Sequence, residues 1–211
     1  MKDWESTHPK AKLMARKRAA ILEASRESFL RHGYEATSME TIAAAAGISI
    51  MTLYRHAESK DDLFSTVVAA ACSAEEKSGL EQKLVSRPLA ENLLAAALMI
   101  QRKLLDPETV ALLRAVISEV SRFPHLAELT YRSVIGHFED MVEKLLVEHE
   151  ESRELGAPLQ RKLALSFIDK LVGADLLKTL LGLTSATPAE QLQRAEKARD
   201  DLLLSYQTAE H

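Results

Sequence analysis

Eight consecutive residues, Ser49-Ile50-Met51-Thr52-Leu53-Tyr54-Arg55-His56, bring hydroxyl, phenol, guanidinium and imidazole groups together. These groups donate and accept hydrogen bonds, so the chemistry they offer is recognition. Bond-breaking chemistry has no comparable support. The histidines stand at 8, 32, 56, 125, 137, 149 and 211, and none forms a His-x-x-x-His pair. His137 lies near Glu139 and Asp140, and His149 near Glu148, Glu150 and Glu151, clusters that on helices read as solvated faces. The seven glycines are scattered, so no phosphate-cradling loop exists, and no serine elbow is present. The lone Cys72, among alanines, reads as a small buried hydrophobe and excludes an intrachain disulfide. The expectation is a protein with no catalytic residue, no metal and no cofactor, and not an enzyme.

The recognition set needs elements that hold it outward. Two short helices joined by Gly47-Ile48-Ser49 would do so. Ala43 is small enough for a close steep crossing, and Gly47 tolerates the positive φ of a tight turn. Ile42, Ala46, Ile48 and Leu53 can pin the pair from inside. This is the spacing of a helix-turn-helix. Its second helix then turns Ile50, Met51, Thr52, Arg55 and His56 outward, as a helix entering a DNA major groove does. Thr37, Thr41, Tyr54, His56 and Lys60 surround it with donors suited to phosphate oxygens, and Ser49 is placed to cap it.

Helical punctuation runs through the whole chain, and no strand or hairpin signal of any length appears. Thr37 with Glu40, Ser59 with Asp62, Asp106-Pro107 and Thr187-Pro188 with Glu190 all read as helix starts. The pattern predicts an all-α fold of about nine helices, near 11–32, 38–45, 49–56, 60–79, 88–104, 107–121, 125–150, 158–182 and 188–207. The first three are compact and the later ones long. The boundary is expected at residue 60: an N-terminal arm with a three-helix recognition domain (1–60), then a helical body (61–211).

Net charge is −4 over 211 residues, but it is unevenly spread. Residues 1–65 hold ten Lys/Arg against nine Asp/Glu, and the rest hold seventeen against twenty-two. Lys10, Lys12, Arg16, Lys17 and Arg18 form a run free of acids, which is either an electrostatic footprint or a solubilising tail. The start lacks the apolar core of a signal peptide, and no apolar run is long enough to span a membrane, so the expected location is the cytoplasm.

The segment ILEASRESFLRHGYEATSMETIAAAAGISIMTLYRHAESKDDLF, within Ile21 to Val68, resembles the DNA-binding domain of the TetR/AcrR family of bacterial regulators. The shared pattern is Gly33-Tyr34, then Thr, then Ile-Ala…Ala-Gly-Ile-Ser, Leu-Tyr-x-His and Ser-Lys-x-x-Leu. Ala57 departs from it, standing where the family usually has Phe, and Met51 stands where Gly or Ala is frequent. The resemblance implies a homodimer on a palindromic operator. Thr37, Tyr54, His56 and Lys60 would hold phosphates, Ile50, Met51 and Thr52 would lie nearest the bases, and the basic arm before Ile21 would reach an adjacent groove.

Further on, LRAVISEVSRFPHLAELTYRSVIGHFEDMV resembles one branch of the family, in which an Arg-Phe-Pro turn joins two helices. LALSFIDKLVGADLLKTLLGL is apolar nearly all round and must be covered on more than one side, and Gly173 with Ala174 would let another backbone come close. The resemblance assigns 158–182 and 188–207 to a four-helix dimer bundle. It also implies a small-molecule effector in a cavity of the body, with Met99, Arg102, Ile117, Phe138, Met141 and Asp175 as candidate lining residues. The expected function is a ligand-responsive repressor. The alternatives are an activator of the same fold or an all-helical adaptor with a degenerate helix-turn-helix.

Overall fold

The computed structural model describes residues 9–73, 87–149, 155–183 and 186–209. Ten α-helices occupy those residues, and no strand occurs among them: α1 (Pro9–Ala36), α2 (Met39–Ala45), α3 (Ile50–Leu53), α4 (Lys60–Ser73), α5 (Leu89–Leu104), α6 (Pro107–Glu119), α7 (His125–Tyr131), α8 (His137–Glu148), α9 (Ala157–Leu180) and α10 (Pro188–Ala209). The segment expected as one helix over 125–150 is α7 and α8 joined by a π-helical turn, Arg132–Gly136. No described helix is long and apolar enough to cross a membrane. The first eight residues, the part of 60–79 beyond Ser73 and the side chain of Cys72 lie outside the described residues.

Local chemistry sets the ends. Gly33 leaves helical geometry at φ 77°, which breaks α1 where the sequence predicts a stop. The cap of α2 is Ser38, not Thr37: its hydroxyl accepts from Thr41 N at 3.2 Å. Gly47, at φ 65°, closes α2 by donating to Ala44 O, while Ile48 N reaches back to Ala43 O at 3.0 Å. Ser49 caps α3 through Thr52 N. Asp106 accepts from Glu108 N and Thr109 N ahead of Pro107. Thr187 and Glu190 cap each other reciprocally at the start of α10.

One apolar cluster runs from Ile21 in α1 to Leu202 in α10. At the N-terminal end Phe29, Ile42, Leu53 and Phe64 are almost fully buried. In the body, Leu93 and Ile100 of α5, Phe138 and Leu146 of α8 and Phe167 of α9 fill the centre. α4 joins the two ends, burying Leu63, Phe64, Val67 and Val68. α9 turns at Gly173, where φ is 40°. Before the turn it buries Leu163, Phe167 and Leu171; after it, Leu177 and Leu181 are exposed. Gly173 and Ala174 are themselves exposed.

Candidate nucleic-acid interface

The α3 unit is anchored by one side chain and open on the other side. Leu53 is fully buried, and backbone bonds from Tyr54 N to Ile50 O and from Ala57 N to Leu53 O carry the helical path to Ala57. Met51 is 67% exposed and Tyr54 47% exposed. Arg55 is exposed, and Thr52 and His56 are half-buried. Ser49 and Thr52 hydroxyls meet at 2.9 Å, which orients both at the start of the helix. On α2, Thr41 is exposed and its hydroxyl meets that of Ser38 at 3.1 Å. Ser49, Met51, Thr52, Tyr54, Arg55 and His56 therefore lie on or beside the α3 turn, and Thr41 lies at the capped start of the packed helix α2. Ser38 joins them, and sequence reasoning passed over it because the Thr37-Ser38 pair leaves the cap's frame ambiguous.

Three of the expected residues are used differently. Thr37 is only 1% exposed, and its hydroxyl donates to Gly33 O at 2.7 Å, with Ser28 O at 3.1 Å. It closes the end of α1 and presents no hydroxyl to a phosphate. Lys60 donates to Tyr34 O at 2.8 Å and Thr37 O at 3.0 Å, and its ammonium lies 4.1 Å from the Tyr34 ring centroid. Burial pushes its pKa down, opposed by the nearby Glu119 and Glu35 carboxylates. It ties α4 to the end of α1, so its donors are committed inside the protein. Ile50 is half-buried against the core rather than wholly outward. The position where Ala57 departs from the expected aromatic is closed: Ala57 is 3% exposed, so neighbouring chain covers the smaller side chain.

The six residues expected to line an effector cavity do not form one lining. Ile117 is 59% exposed and Arg102 is also exposed, while Phe138 is fully buried. Asp175 is buried by an ion pair with Arg194 of α10, with Lys178 at 3.7 Å. Met99 and Met141 are half-buried against the core. A cleft of about 270 Å³ opens elsewhere, between α1, α4 and the α5–α6 turn, lined by Leu22, Arg26, Val67, Ala71, Lys103 and Glu108 among others.

Residues 21–67 match the family described as bacterial regulatory proteins, tetR family, and residues 91–208, more than half the chain, match the AefR-like transcriptional repressor C-terminal domain. The chain belongs to the TetR family of DNA-binding transcriptional regulators. Relatives described as HTH-type transcriptional regulators match stretches of 34% to 75% of this chain. The HTH-type transcriptional repressor Rv3405c of Mycobacterium tuberculosis (strain ATCC 25618 / H37Rv) is 28% identical over 165 residues, 75% of this chain and 81% of the relative. The uncharacterized HTH-type transcriptional regulator YhgD of Bacillus subtilis (strain 168) is 32% identical over a shorter stretch, 34% of this chain and 38% of the relative. A second Mycobacterium tuberculosis repressor, Rv1474c, is 30% identical over 45% of this chain, which spans 55% of that relative. Among solved structures, the flavonoid-responsive regulator FrrA superposes with a TM-score of 0.67 at 29% identity, covering 90% of this chain and 97% of its own. A TetR family transcriptional regulator from Pseudomonas syringae pv. tomato str. DC3000 gives 0.60 at 25% identity, covering 89% and 95%.

Proposed function

We propose that this chain is a repressor that binds a palindromic operator as a homodimer and releases it when a small molecule enters the helical body. The carrying observation is the α3 corner: Leu53 is fully buried while Met51 and Tyr54 stand open. A helix held from one side with polar and apolar groups on the other is built to enter a groove. Tyr54, Arg55, His56 and Thr41 are the phosphate-side candidates, and Met51 and Thr52 the base-side ones, Met51 being suited to a thymine methyl. Repression is favoured over activation by the repressor description of the family matched by residues 91–208.

We divide the work at residue 60, with recognition before it and effector response and dimer formation after it. An effector that prefers the spread state of the dimer by about 1–3 kcal/mol weakens operator binding about 5- to 150-fold. FrrA is by name flavonoid-responsive, so flavonoids are the first effector class to screen. The test is a salt series on DNA around the protein's own coding start against a scrambled duplex, backed by selection from random sequence. The expected result is a steep loss of affinity with salt and a preference of about 10³-fold or more for the selected site. Equal, weak binding to every duplex would favour the adaptor reading.

A further inference from the structure

The Arg-Phe-Pro turn between α6 and α7 does more than reverse the chain: it grips the recognition domain. Arg122 donates both terminal nitrogens to the Glu35 carboxylate at the end of α1. His125 Nε2 lies 3.2 Å from Asp61 Oδ1 in the first turn of α4, and the Tyr34 hydroxyl donates to that same oxygen. The Tyr34 ring packs edge-on against Phe123 at 5.2 Å and against Phe64 at 5.4 Å. Beside them, a Cβ at Gly33 would stand 2.7 Å from Oε1 of the Glu119 side chain, which reaches over from α6. These contacts join body residues to both helices that flank the helix-turn-helix, α1 before it and α4 after it.

We infer that Arg122 and His125 are positioning residues, which set the angle of the recognition domain on the body and hence the half-site spacing that the dimer accepts. The inference rests on the DNA-binding reading but adds a contact that the α4 connection does not supply. A single covalent connection through Ala57-Glu58-Ser59 leaves a domain free to rock. A second, non-covalent grip on Glu35 and Tyr34 at the end of α1, braced by Asp61 at the start of α4, narrows that freedom. The polar contacts are exposed, with Arg122 61% and His125 48% open at the side chain, so each is individually weak. Weak contacts suit this role. They bias an angle without fixing it, so an effector acting on the body can undo them.

The exposed pair can be altered without opening the core. The operator selected by the wild-type protein is remade with one extra central base pair, which moves one half-site by about 3.4 Å and turns it by about 35°. Wild type is expected to bind the longer site far less well. In the variant Arg122→Ala/His125→Ala that penalty is expected to shrink about fivefold, the limit for exposed contacts. The variant Arg122→Lys/His125→Gln, which keeps donors, should recover most of it. A purely structural role would lower stability and leave the spacing penalty unchanged. As a readout independent of DNA, a spin label on Ala44→Cys in a Cys72→Ser background reports the separation of the two recognition domains. A broader distribution in the alanine variant supports the grip. Unchanged spacing penalty together with an unchanged distribution overturns it. If wild type binds no duplex selectively, the repressor reading fails, and the label distribution alone decides the grip.

Discussion

Thr37 shows why polar residues near a recognition helix are hard to assign from sequence. A threonine ahead of a short helix suggests an exposed hydroxyl, yet this one is buried against the carbonyls that α1 leaves open at its end. Replacing it with valine keeps the shape and removes the donor. Thr37→Val is expected to cost about 1 kcal/mol, a fall of about 2–4 °C in melting temperature, with operator affinity per folded molecule unchanged. A selective loss of DNA affinity at full stability would restore its phosphate role. Gly33 makes the complementary case. Its positive φ was legible from the stop it makes after α1, but its closeness to Glu119 was not, because only the tertiary fold brings α6 there. Gly33→Ala is expected to lose about 1–2 kcal/mol from the left-handed backbone alone, before Glu119 shifts, as measured by urea unfolding. A change within 0.5 kcal/mol, roughly the range of an ordinary surface substitution, would mean that the backbone at residue 33 leaves the left-handed region at little cost.

Helix positions follow from local signals, and so the elements were largely legible. Caps at Ser49, Asp106 and Thr187 stand where their residue types require, and the one slip, Ser38 for Thr37, arose between two adjacent cap formers. The π turn was not legible, since Arg132–Gly136 has no proline or run of breakers to announce it. Next to that turn a polar cluster ties α8 to α9. Glu139 is 4% exposed, accepting from Tyr131 at 2.9 Å and from Arg161 at 3.2 Å, while Arg161 also holds Asp140 and Glu143. Those carboxylates push the Arg161 pKa up, and the hydrogen bond to Glu139 pushes the Tyr131 phenol up. Removing the guanidinium leaves a buried carboxylate with one neutral donor. Arg161→Met is therefore expected to destabilise by about 2 kcal/mol, less than for a fully buried pair because Arg161 is partly open to water. Arg161→Met/Glu139→Leu should regain much of that loss in the same melt. Additive losses would mean that Glu139 is stabilised by something other than its arginine.

At the scale of the whole molecule, the exposed leucines have no role in a solitary chain. Leu177, Leu181 and Leu183 lie open around the end of α9, and Leu192 and Leu204 lie open on α10. Arg114 of α6 holds the Thr179 and Leu180 carbonyls, so the helix end that carries these leucines is fixed in place rather than frayed. Lys170 with Asp201 and Asp175 with Arg194 fasten α10 alongside. Open leucines on two helices fastened side by side suit a two-fold contact with another copy. The apolar character of α9 was plain in the sequence, but not which of its leucines the body would leave uncovered. That division appears only once α9 turns at Gly173, with Leu171 buried before it and Leu177 open after it. If the proposed dimer forms there, Leu177→Glu/Leu181→Glu places four carboxylates in its contact and is expected to give a monomer in sedimentation equilibrium, against a dimer of the 23.4 kDa chain for wild type. The variant's helix content should be unchanged, since both sites are already solvated in the single chain. Operator affinity should fall by about 10²–10⁴, because each recognition helix would then bind its half-site without a linked neighbour. A variant that stays dimeric would move the interface off α9. One that becomes monomeric yet keeps full operator affinity would mean that a single α3 corner is sufficient for DNA binding and that the palindrome is unnecessary.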